Sequence, residues 1–377
     1  MARAQRTGPG TSWPVRLGAA VPCWLVILAL TAAGCTAAVG VPGASSAPRE
    51  HRARARPDAA VMLRGTGARR GGYPAAFVAS VDVPARPAGG GLAVFSSATG
   101  RLIRWLVHSA RGPVPVAVSP GGRWVYYVDQ ADIARGVCAG NGFTEPSLWR
   151  VSAGGGRPGK TAFHTTSIAF SPDEQMVAWT WTRRCGRTAW ITVRDRPAGV
   201  TRRILLARNA PASNNPVFSA HLAWAPDDTH LAVAVAPAAA INAVFVIDAR
   251  RAVRLPGRAI RPCSAPASEC ADPAYDTRGG LTFLRWLNQV RPAPQQVVRW
   301  QDGRATVLFR LTRDQSAGFS ATIATDASGT AVLVQGGLRR AEIWRWSAGP
   351  ADLILRSTPQ RIITSPLWEP ARRQPQH

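Results

Sequence analysis

The chain has 377 residues, of which 46% are apolar and 18% charged, so it can bury a sizeable core and is neither a disordered tail nor a fibrous repeat. Its 35 glycines and 31 prolines are spread along the sequence, which favours many short elements joined by turns over long helices. The formal net charge of +25 comes from 46 basic against 21 acidic residues, but charge alone identifies no partner.

Residues 1–35 predict an export signal. Three arginines precede an apolar run over residues 21–33, and no charged residue occurs between positions 17 and 48. The run ends in small residues directly before Cys35, in the sequence LTAAGC. This ending resembles the lipobox of bacterial lipoproteins, which implies that Cys35 is lipidated and becomes the N-terminus of the mature chain.

Alternatives to the lipoprotein interpretation stay open. An uncleaved signal anchor is the closest, because the uncharged stretch is long enough to span a bilayer. More arginines follow the apolar run than precede it, which by the positive-inside rule favours a cytoplasmic body. A translation start at Met62 would remove the signal altogether. Since a cleaved lipoprotein escapes the positive-inside rule, we expect an extracytoplasmic body anchored to the cell membrane.

Residues 36–73 predict a flexible basic linker, because they are rich in alanine, glycine, proline and arginine and poor in core-forming residues. A solvated spacer is the simpler interpretation, and binding of lipid headgroups by the arginines is the alternative. The body then spans residues 74–370, and residues 371–377 form a tail.

Three segments of the body repeat one pattern, in which an apolar strand is followed by a turn with proline and then by a second β-rich run. The copies are VAVSPGGRWV at 116–125, IAFSPDEQMV at 168–177 and LAWAPDDTHL at 222–231. Weaker copies begin at Leu281, Ile323 and Ser365, which makes six predicted hairpins.

A second family of short strands alternates with these hairpins. Each is an apolar or aromatic run closed by a polar turn, and the runs lie about 50 residues apart on average. They begin at Val94, Trp149, Ile191, Phe245, Val298 and Trp344. Because the chain starts with this kind of strand and ends with a hairpin strand, six copies of each describe a ring.

The sequence therefore predicts an all-β fold, a six-bladed β-propeller. A four-stranded blade cannot bury both of its faces alone, so blades stack radially until the last one meets the first. We expect the C-terminal strand around Leu367 and Trp368 to supply the innermost strand of the first blade. The other three strands of that blade are predicted at 76–83, 92–95 and 102–108.

The turns at Ser119-Pro120, Ser171-Pro172 and Ala225-Pro226 resemble the Ser-Pro-Asp-Gly turn of the TolB-like six-bladed propellers. The likeness covers roughly residues 74–370 and is poor in the fourth hairpin, where Leu284–Leu287 lacks the Pro-Asp turn. It implies a fold and an exported setting but no chemistry, since such propellers mostly bind other proteins or polymers.

Four cysteines follow Cys35, and an even number permits three pairings. In the propeller frame, Cys138 and Cys185 fall in loops after the second strands of adjacent blades, on one face of the disc. Cys263 and Cys270 have six residues between them within one loop between blades. We expect the disulfides Cys138–Cys185 and Cys263–Cys270, as suits an oxidising compartment, and free thiols or a metal site are the alternative.

Residues 154–161, GGGRPGKT, match the P-loop pattern and contain the only lysine of the chain. A P-loop needs a strand, the loop and then a helix whose N-terminus faces the phosphate. The residues that follow, 162–170, are β-rich. We therefore expect an ordinary hairpin here and no nucleotide site.

We expect no catalytic residue, no cofactor and no metal site. The chain has no Gly-x-Ser-x-Gly elbow, and its six histidines include no pair at metal-ligand spacing. His164 and His221 each lie shortly before an inner strand, where ligands of propellers enter the central channel. They are weak candidates for channel ligands, against the simpler role of hydrogen-bonded loop histidines.

The positive charge predicts no specific nucleic-acid binding, because arginines such as Arg150, Arg299 and Arg345 are distributed around the ring and form no groove. We expect a membrane-tethered, monomeric propeller that acts as a protein- or polymer-binding scaffold without catalysis. Its partner would be an unknown protein or a cell-envelope polymer. The alternative is a lactonase-like hydrolase that uses the central channel.

Overall fold

A computed structural model describes the folded body of the chain. The described residues are 75–83, 90–109, 111–135, 146–183, 188–207, 221–235, 243–256, 259–263, 268–287, 295–311, 322–329, 331–336, 341–347, 351–358 and 360–368. All of them belong to the unit Thr66–His377. The predicted signal, linker and C-terminal tail lie outside the described residues, as do Cys35, Cys138 and Cys185.

The described residues form six antiparallel sheets, numbered here as blades 1 to 6. Blade 1 contains β1 (Ala76–Asp82), β2 (Gly91–Ser96), β3 (Leu102–His108) and the last strand, β23 (Ile362–Trp368). Blade 2 contains β4 (Pro113–Val118), β5 (Trp124–Asp129), β6 (Ser147–Ser152) and β7 (Gly159–His164). Blade 3 contains β8 (Ile168–Phe170), β9 (Met176–Arg183), β10 (Thr188–Asp195) and β11 (Thr201–Ala207).

The second half of the ring contains blades 4 to 6. The described residues of blade 4 form three strands, β12 (His221–Trp224), β13 (His230–Val235) and β14 (Ala243–Asp248). Blade 5 contains β15 (Ser268–Tyr275), β16 (Leu281–Leu287), β17 (Gln295–Gln301) and β18 (Arg304–Arg310). Blade 6 contains β19 (Thr322–Thr325), β20 (Val332–Gly336), β21 (Glu342–Trp346) and β22 (Asp352–Arg356).

The described residues also include two short helical segments, α1 (Gln130–Arg135) and one turn of 3-10 helix over Arg261–Cys263. Among the described residues no helix has the length and apolar character needed to cross a membrane. The predicted all-β propeller is confirmed.

The apolar side chains of the strands form six clusters, and each cluster lies between two neighbouring blades. This follows from alternation along a strand, because successive side chains point to opposite faces of a sheet and each face of a blade meets a different neighbour. Between blades 6 and 1, for example, Phe77 and Phe95 are fully buried beside Leu333. Each such side chain contributes about 1.5–3 kcal/mol by leaving water.

The ring closes through the last strand, as predicted. β23 pairs with β1 in antiparallel register, with Phe77 opposite Trp368 and Val81 opposite Ile363. The innermost strands β4, β8, β12, β15, β19 and β23 each contact the next, and β23 returns to β4. Since the indole Nε1 of Trp368 also donates to the carbonyl of Ala324 at 2.9 Å, the C-terminal strand locks blade 6 to blade 1.

The turns after the innermost strands of blades 2 and 3 are held by a side-chain oxygen at their first residue. The hydroxyl oxygen of Ser119 accepts the backbone N–H groups of Arg123 and Trp124, both at 3.1 Å, and that of Ser171 accepts the N–H of Met176 at 2.8 Å. Serine and aspartate satisfy turn donors in this way, which explains their recurrence at these positions.

The fourth hairpin was predicted one strand too late. Residues Leu281–Leu287 form β16, the second strand of blade 5, and the innermost strand is β15. The turn between them runs from Asp276 to Gly280, where Asp276 Oδ1 accepts the N–H groups of Arg278 at 2.8 Å and Gly280 at 3.0 Å. Asp276 thus accepts the hydrogen bonds of the turn as the serine of the Ser-Pro pair does in blades 2 and 3. The turn is therefore present without the Pro-Asp signature. The count of six blades stands.

Blade 4 also departs from the prediction of four strands in each blade. After β14 the chain leaves the sheet and pairs in parallel with the outer strand of blade 3, where Leu205 lies opposite Arg254. The predicted disulfide Cys263–Cys270 is present. However, Cys270 lies in the innermost strand β15 and not in a loop, so the bond ties the segment after blade 4 to the core of blade 5.

Candidate functional site in the central channel

Two titratable residues, His221 and Asp272, lie together on innermost strands at the central channel. His221 is the first residue of β12, and Asp272 lies in β15, the innermost strand of the next blade. The imidazole Nδ1 lies 2.9 Å from Asp272 Oδ1. The other carboxylate oxygen of Asp272 accepts the backbone N–H of Ile323 in β19 at 3.2 Å. One carboxylate therefore joins the innermost strands of blades 4, 5 and 6.

Asp272 reaches both partners because its strand is irregular at this point. The pairing of β15 with β16 shifts register between Ala271 and Ala274, and Asp272 has a φ of 51°. A left-handed backbone costs a residue other than glycine about 1–2 kcal/mol. Bulges re-aim side chains, and residues in such conformations cluster at ligand sites. The strained backbone thus belongs to a residue whose side chain is only 8% exposed.

The protonation of His221 is governed by two opposing influences. Burial is the largest and lowers its pKa, but the charge of Asp272 and the hydrogen bond to it together outweigh burial, so the pKa is raised above 6.5. The side chain of His221 keeps 48% of its surface exposed, so a ligand that enters the channel can reach it. No described residue bonds its Nε2, which can donate to an anion or a carbonyl.

The same pair has part of the geometry of a general base. A carboxylate that fixes Nδ1 of an imidazole leaves Nε2 to take or give a proton. No described serine, threonine or cysteine side chain hydrogen bonds to that nitrogen. Within the described residues no group of three or more histidines, cysteines and carboxylates is placed to hold a metal ion.

His164, the other predicted channel histidine, does not join this pair. It ends β7, the outermost strand of blade 2, where it is exposed and lies opposite Ser147 of β6. Its position is three strands away from the channel. Proximity along the sequence to an inner strand was a poor guide, because the chain crosses from the rim of one blade to the centre of the next within a few residues.

The P-loop-like segment joins β6 to β7 as a hairpin. Its last residues, Gly159, Lys160 and Thr161, begin a strand and no helix, and the Thr161 hydroxyl donates to the carbonyl of Leu148 at 2.8 Å. The helix N-terminus that would bind phosphate is therefore replaced by strand pairing.

The arginines that recur in the third strands serve contacts within the protein. Arg150 stacks over the Trp124 ring at 4.4 Å, and Arg345 Nη1 donates to the carbonyl of Ser97 at 2.7 Å. Arg299 forms an ion pair with Asp276, whose side chain is fully buried. Arg150 and Arg299 thus hold strands and turns within their own blades, and Arg345 joins blade 6 to blade 1.

Asp272 was missed by sequence reasoning. The dipeptide Asp272-Pro273 inside a strand was the available signal, because proline is tolerated in a sheet mainly at edges and bulges. A polar residue directly before such a proline marks a place where the strand turns a side chain out of the regular alternation.

Comparison with known proteins supports the fold. No family model and no curated protein matches the chain. The crystal structure of TolB from Acinetobacter baumannii is similar over 79% of this chain and 67% of that one, with a TM-score of 0.56 and 13% identity.

Two enzyme structures are more distant. Oligogalacturonate lyase in complex with manganese has a TM-score of 0.46 at 10% identity, with 71% of each chain covered. A putative 6-phosphogluconolactonase from Bacteroides uniformis has a TM-score of 0.42 at 14% identity, over 75% of this chain and 82% of that one. Neither likeness bears on chemistry. The ring of six blades, its closure by the C-terminal strand and the similarity to TolB together show that this chain has the fold of the TolB-like six-bladed β-propellers.

Proposed function

We propose that the protein is an exported, membrane-tethered β-propeller that binds a protein or a cell-envelope polymer and catalyses no reaction. The observation that carries the proposal is the His221–Asp272 pair in the channel. The pair offers a hydrogen-bond donor to a ligand, and no described serine, threonine or cysteine side chain hydrogen bonds to the imidazole as a nucleophile would. The tether rests on the export signal and Cys35, and the intact mass of the membrane-extracted protein tests it. A mature chain that begins at a lipid-modified Cys35 is expected, and an unmodified chain that keeps Met1 would contradict lipidation.

Binding at the channel is tested by photo-cross-linking on intact cells. A benzoylphenylalanine replaces Thr166, which precedes the innermost strand β8 at the same end of the channel as His221, or Thr306 on the exposed strand β18 as a control position. We expect adducts with an envelope protein or polymer from position 166 and none from position 306.

The chain offers a matched control for the role of His221. His230 also bonds a carboxylate through Nδ1, at 2.6 Å from Asp227, but this pair lies within a single turn. His221→Ala should abolish the adducts, whereas His230→Ala should preserve them. Adducts with cytosolic proteins alone, or adducts that survive His221→Ala, would contradict the proposal.

A second candidate, a channel-site hydrolase, is favoured by the orientation of the imidazole by Asp272. It predicts that purified protein opens simple lactones with a pH profile set by His221, followed by acid release in a pH-stat. His221→Gln should then remove the activity. Equal rates for wild type, His221→Gln and buffer would eliminate this candidate.

A further inference from the structure

Among the described residues, blade 4 is the one sheet whose third strand, β14, has no fourth strand on its outer side. In the part of the chain that the structure describes, blade 4 ends at β14, whereas each of the other five sheets has four strands. The chain that follows β14 pairs with blade 3 instead, through Leu205 N–H to Val253 O at 3.0 Å and Leu255 N–H to Leu205 O at 3.2 Å. The outer side of β14 is therefore only partly covered.

The pairing pattern shows which backbone groups of β14 face outward. The backbone N–H of Ala249 donates to the carbonyl of Thr229, the residue directly before β13. Every second residue from there, at 247, 245 and 243, therefore bonds inward in the antiparallel ladder. Val244, Val246 and Asp248 consequently direct their backbone groups away from β13. The carbonyl of Val244 accepts the N–H of Ile260 at 2.9 Å, and that of Asp248 accepts the N–H of Ala252 at 2.8 Å.

Val246 lies between these two covered points. No described residue bonds its N–H or its C=O, and none bonds the N–H of Asp248. Unpaired groups in a row are a template for an added strand. The edge borders a groove of about 560 Å³ that is lined by Val246, Ile247, Asp248, Ala252, Arg254, Leu255 and Pro256.

Arg254 lines this groove, and Arg250 and Arg251 lie in the turn between its lining residues Asp248 and Ala252. Arg250 and Arg254 are exposed, and the Arg251 side chain keeps 89% of its surface in solvent. The one carboxylate of the groove, Asp248, is matched by Arg251, with Nε and Oδ2 3.6 Å apart. A negatively charged ligand is therefore attracted to this edge by the arginines, and a positively charged one is repelled.

We propose that the open edge of β14 is a docking site for an extended acidic segment of a partner protein, which adds to blade 4 as its fourth strand. The main chain of Val246 would supply hydrogen bonds, and Arg250 and Arg254 would select carboxylates on the added strand. This inference rests on the proposed binding role and names the chemistry of one partner.

Two other occupants fit the charge poorly. The linker of this same chain, residues 36–73, carries seven arginines against two acidic residues. A second copy that paired its own β14 across a two-fold axis would bring the same arginines together. Both arrangements place like charges at the groove, so they serve as alternative outcomes of the test.

The test uses a fluorescein-labelled octapeptide that alternates valine and glutamate, with fluorescence anisotropy as the readout. We expect binding to the full-length protein, and at least tenfold weaker binding of two control peptides. One replaces glutamate by lysine, and the other carries N-methyl groups on alternate backbone nitrogens so that it cannot pair with a strand. Hydrogen exchange should show that the acidic peptide protects the amide of Val246.

Matched variants separate this edge from the general positive charge. Arg254→Glu should weaken the peptide about tenfold, whereas Arg304→Glu, on the exposed outer strand of the complete blade 5, should leave it unchanged. Equal losses in both variants, equal binding of the N-methylated peptide, or self-association through β14 without peptide binding would overturn the inference. His221→Ala should not affect the peptide. Channel cross-links without peptide binding would therefore refute this inference and leave the proposed function standing.

Discussion

Blades 1 and 4 are both built from three consecutive strands, yet the fold treats them differently. Blade 1 receives a fourth strand, β23, on its inner side, whereas no described strand lies on the outer side of blade 4. The innermost strands contact one another around the channel and close the ring. The outermost strands β7, β18 and β22 are largely exposed and bury little apolar surface. Closure of the ring thus depends on the inner strands, whereas the outer strands differ, since β3 and β11 bury Leu106, Val107, Ile204 and Leu206.

A short segment held by a disulfide covers part of the outer side of blade 4. The side chains of Ile260 and Cys263 pack into the cluster between blades 4 and 5, and the disulfide to Cys270 fixes this segment to β15. The backbone N–H of Ile260 covers the carbonyl of Val244, whereas no described residue bonds the backbone of Val246. Partial coverage of this kind protects the core but not the edge of the sheet.

The largest expected effect comes from weakening the closure of blade 1. Trp368→Ala removes a buried indole and its hydrogen bond to Ala324, and should lower the free energy of unfolding by about 3–5 kcal/mol. Leu353→Ala, on the outer strand of blade 6 where the side chain is 43% exposed, should change it by less than about 0.5 kcal/mol. Urea unfolding followed by tryptophan fluorescence measures both. Equal effects would mean that inner and outer strands contribute alike.

An intermediate effect on stability is expected when the disulfide Cys263–Cys270 is removed. The double variant Cys263→Ala and Cys270→Ala opens a loop closed over a separation of 7 residues, and should lower the free energy of unfolding by about 2–3 kcal/mol. Because the bond holds Ile260 against β14, the amides of β14 should also exchange faster. Unchanged exchange of β14 with reduced global stability would show that the disulfide acts only on the unfolded chain.

The smallest effect concerns the pH dependence of the His221–Asp272 pair. The folded pKa of His221 is raised above 6.5, because the charge of Asp272 and the hydrogen bond to it outweigh the burial that opposes them. The pair therefore stabilises the fold fully below pH 6.5 and loses this contribution as the pH rises through the folded pKa.

Comparison of wild type with His221→Gln measures that contribution. The wild type should be more stable at pH 5.5, by less than about 1 kcal/mol because the imidazole is half exposed, and the difference should vanish at pH 8.5. A wild-type advantage that grows with pH would contradict the sign of the pKa shift.

Much of the fold could be predicted from the sequence, because its strongest signals are local and repeated. Ser119 and Ser171 mark turns whose chemistry can be recognised in any protein. The closing role of Trp368 followed from the order in which two kinds of strand alternate. The turn at Asp276 was overlooked because an aspartate satisfies the same backbone donors without the proline that marks the other copies.

The candidate site and the open edge could not be predicted in the same way. Asp272 and His221 are separated by 50 residues of sequence and meet only because their strands are neighbours in the ring. The missing strand of blade 4 depends on a choice between two partners for residues 252–255, the edge of β14 and the edge of β11. That choice is decided by tertiary packing, which local propensity does not encode.

Hydrogen exchange at the amide of Val246 most directly tests whether β14, the third strand of blade 4, lacks the outer neighbour that β17 has in blade 5. We predict that it exchanges at least about 100-fold faster than the amides of β17 that bond to β18 in the complete blade 5. Equal protection at the two places would show that another part of the chain completes blade 4, and would contradict the account of an open edge.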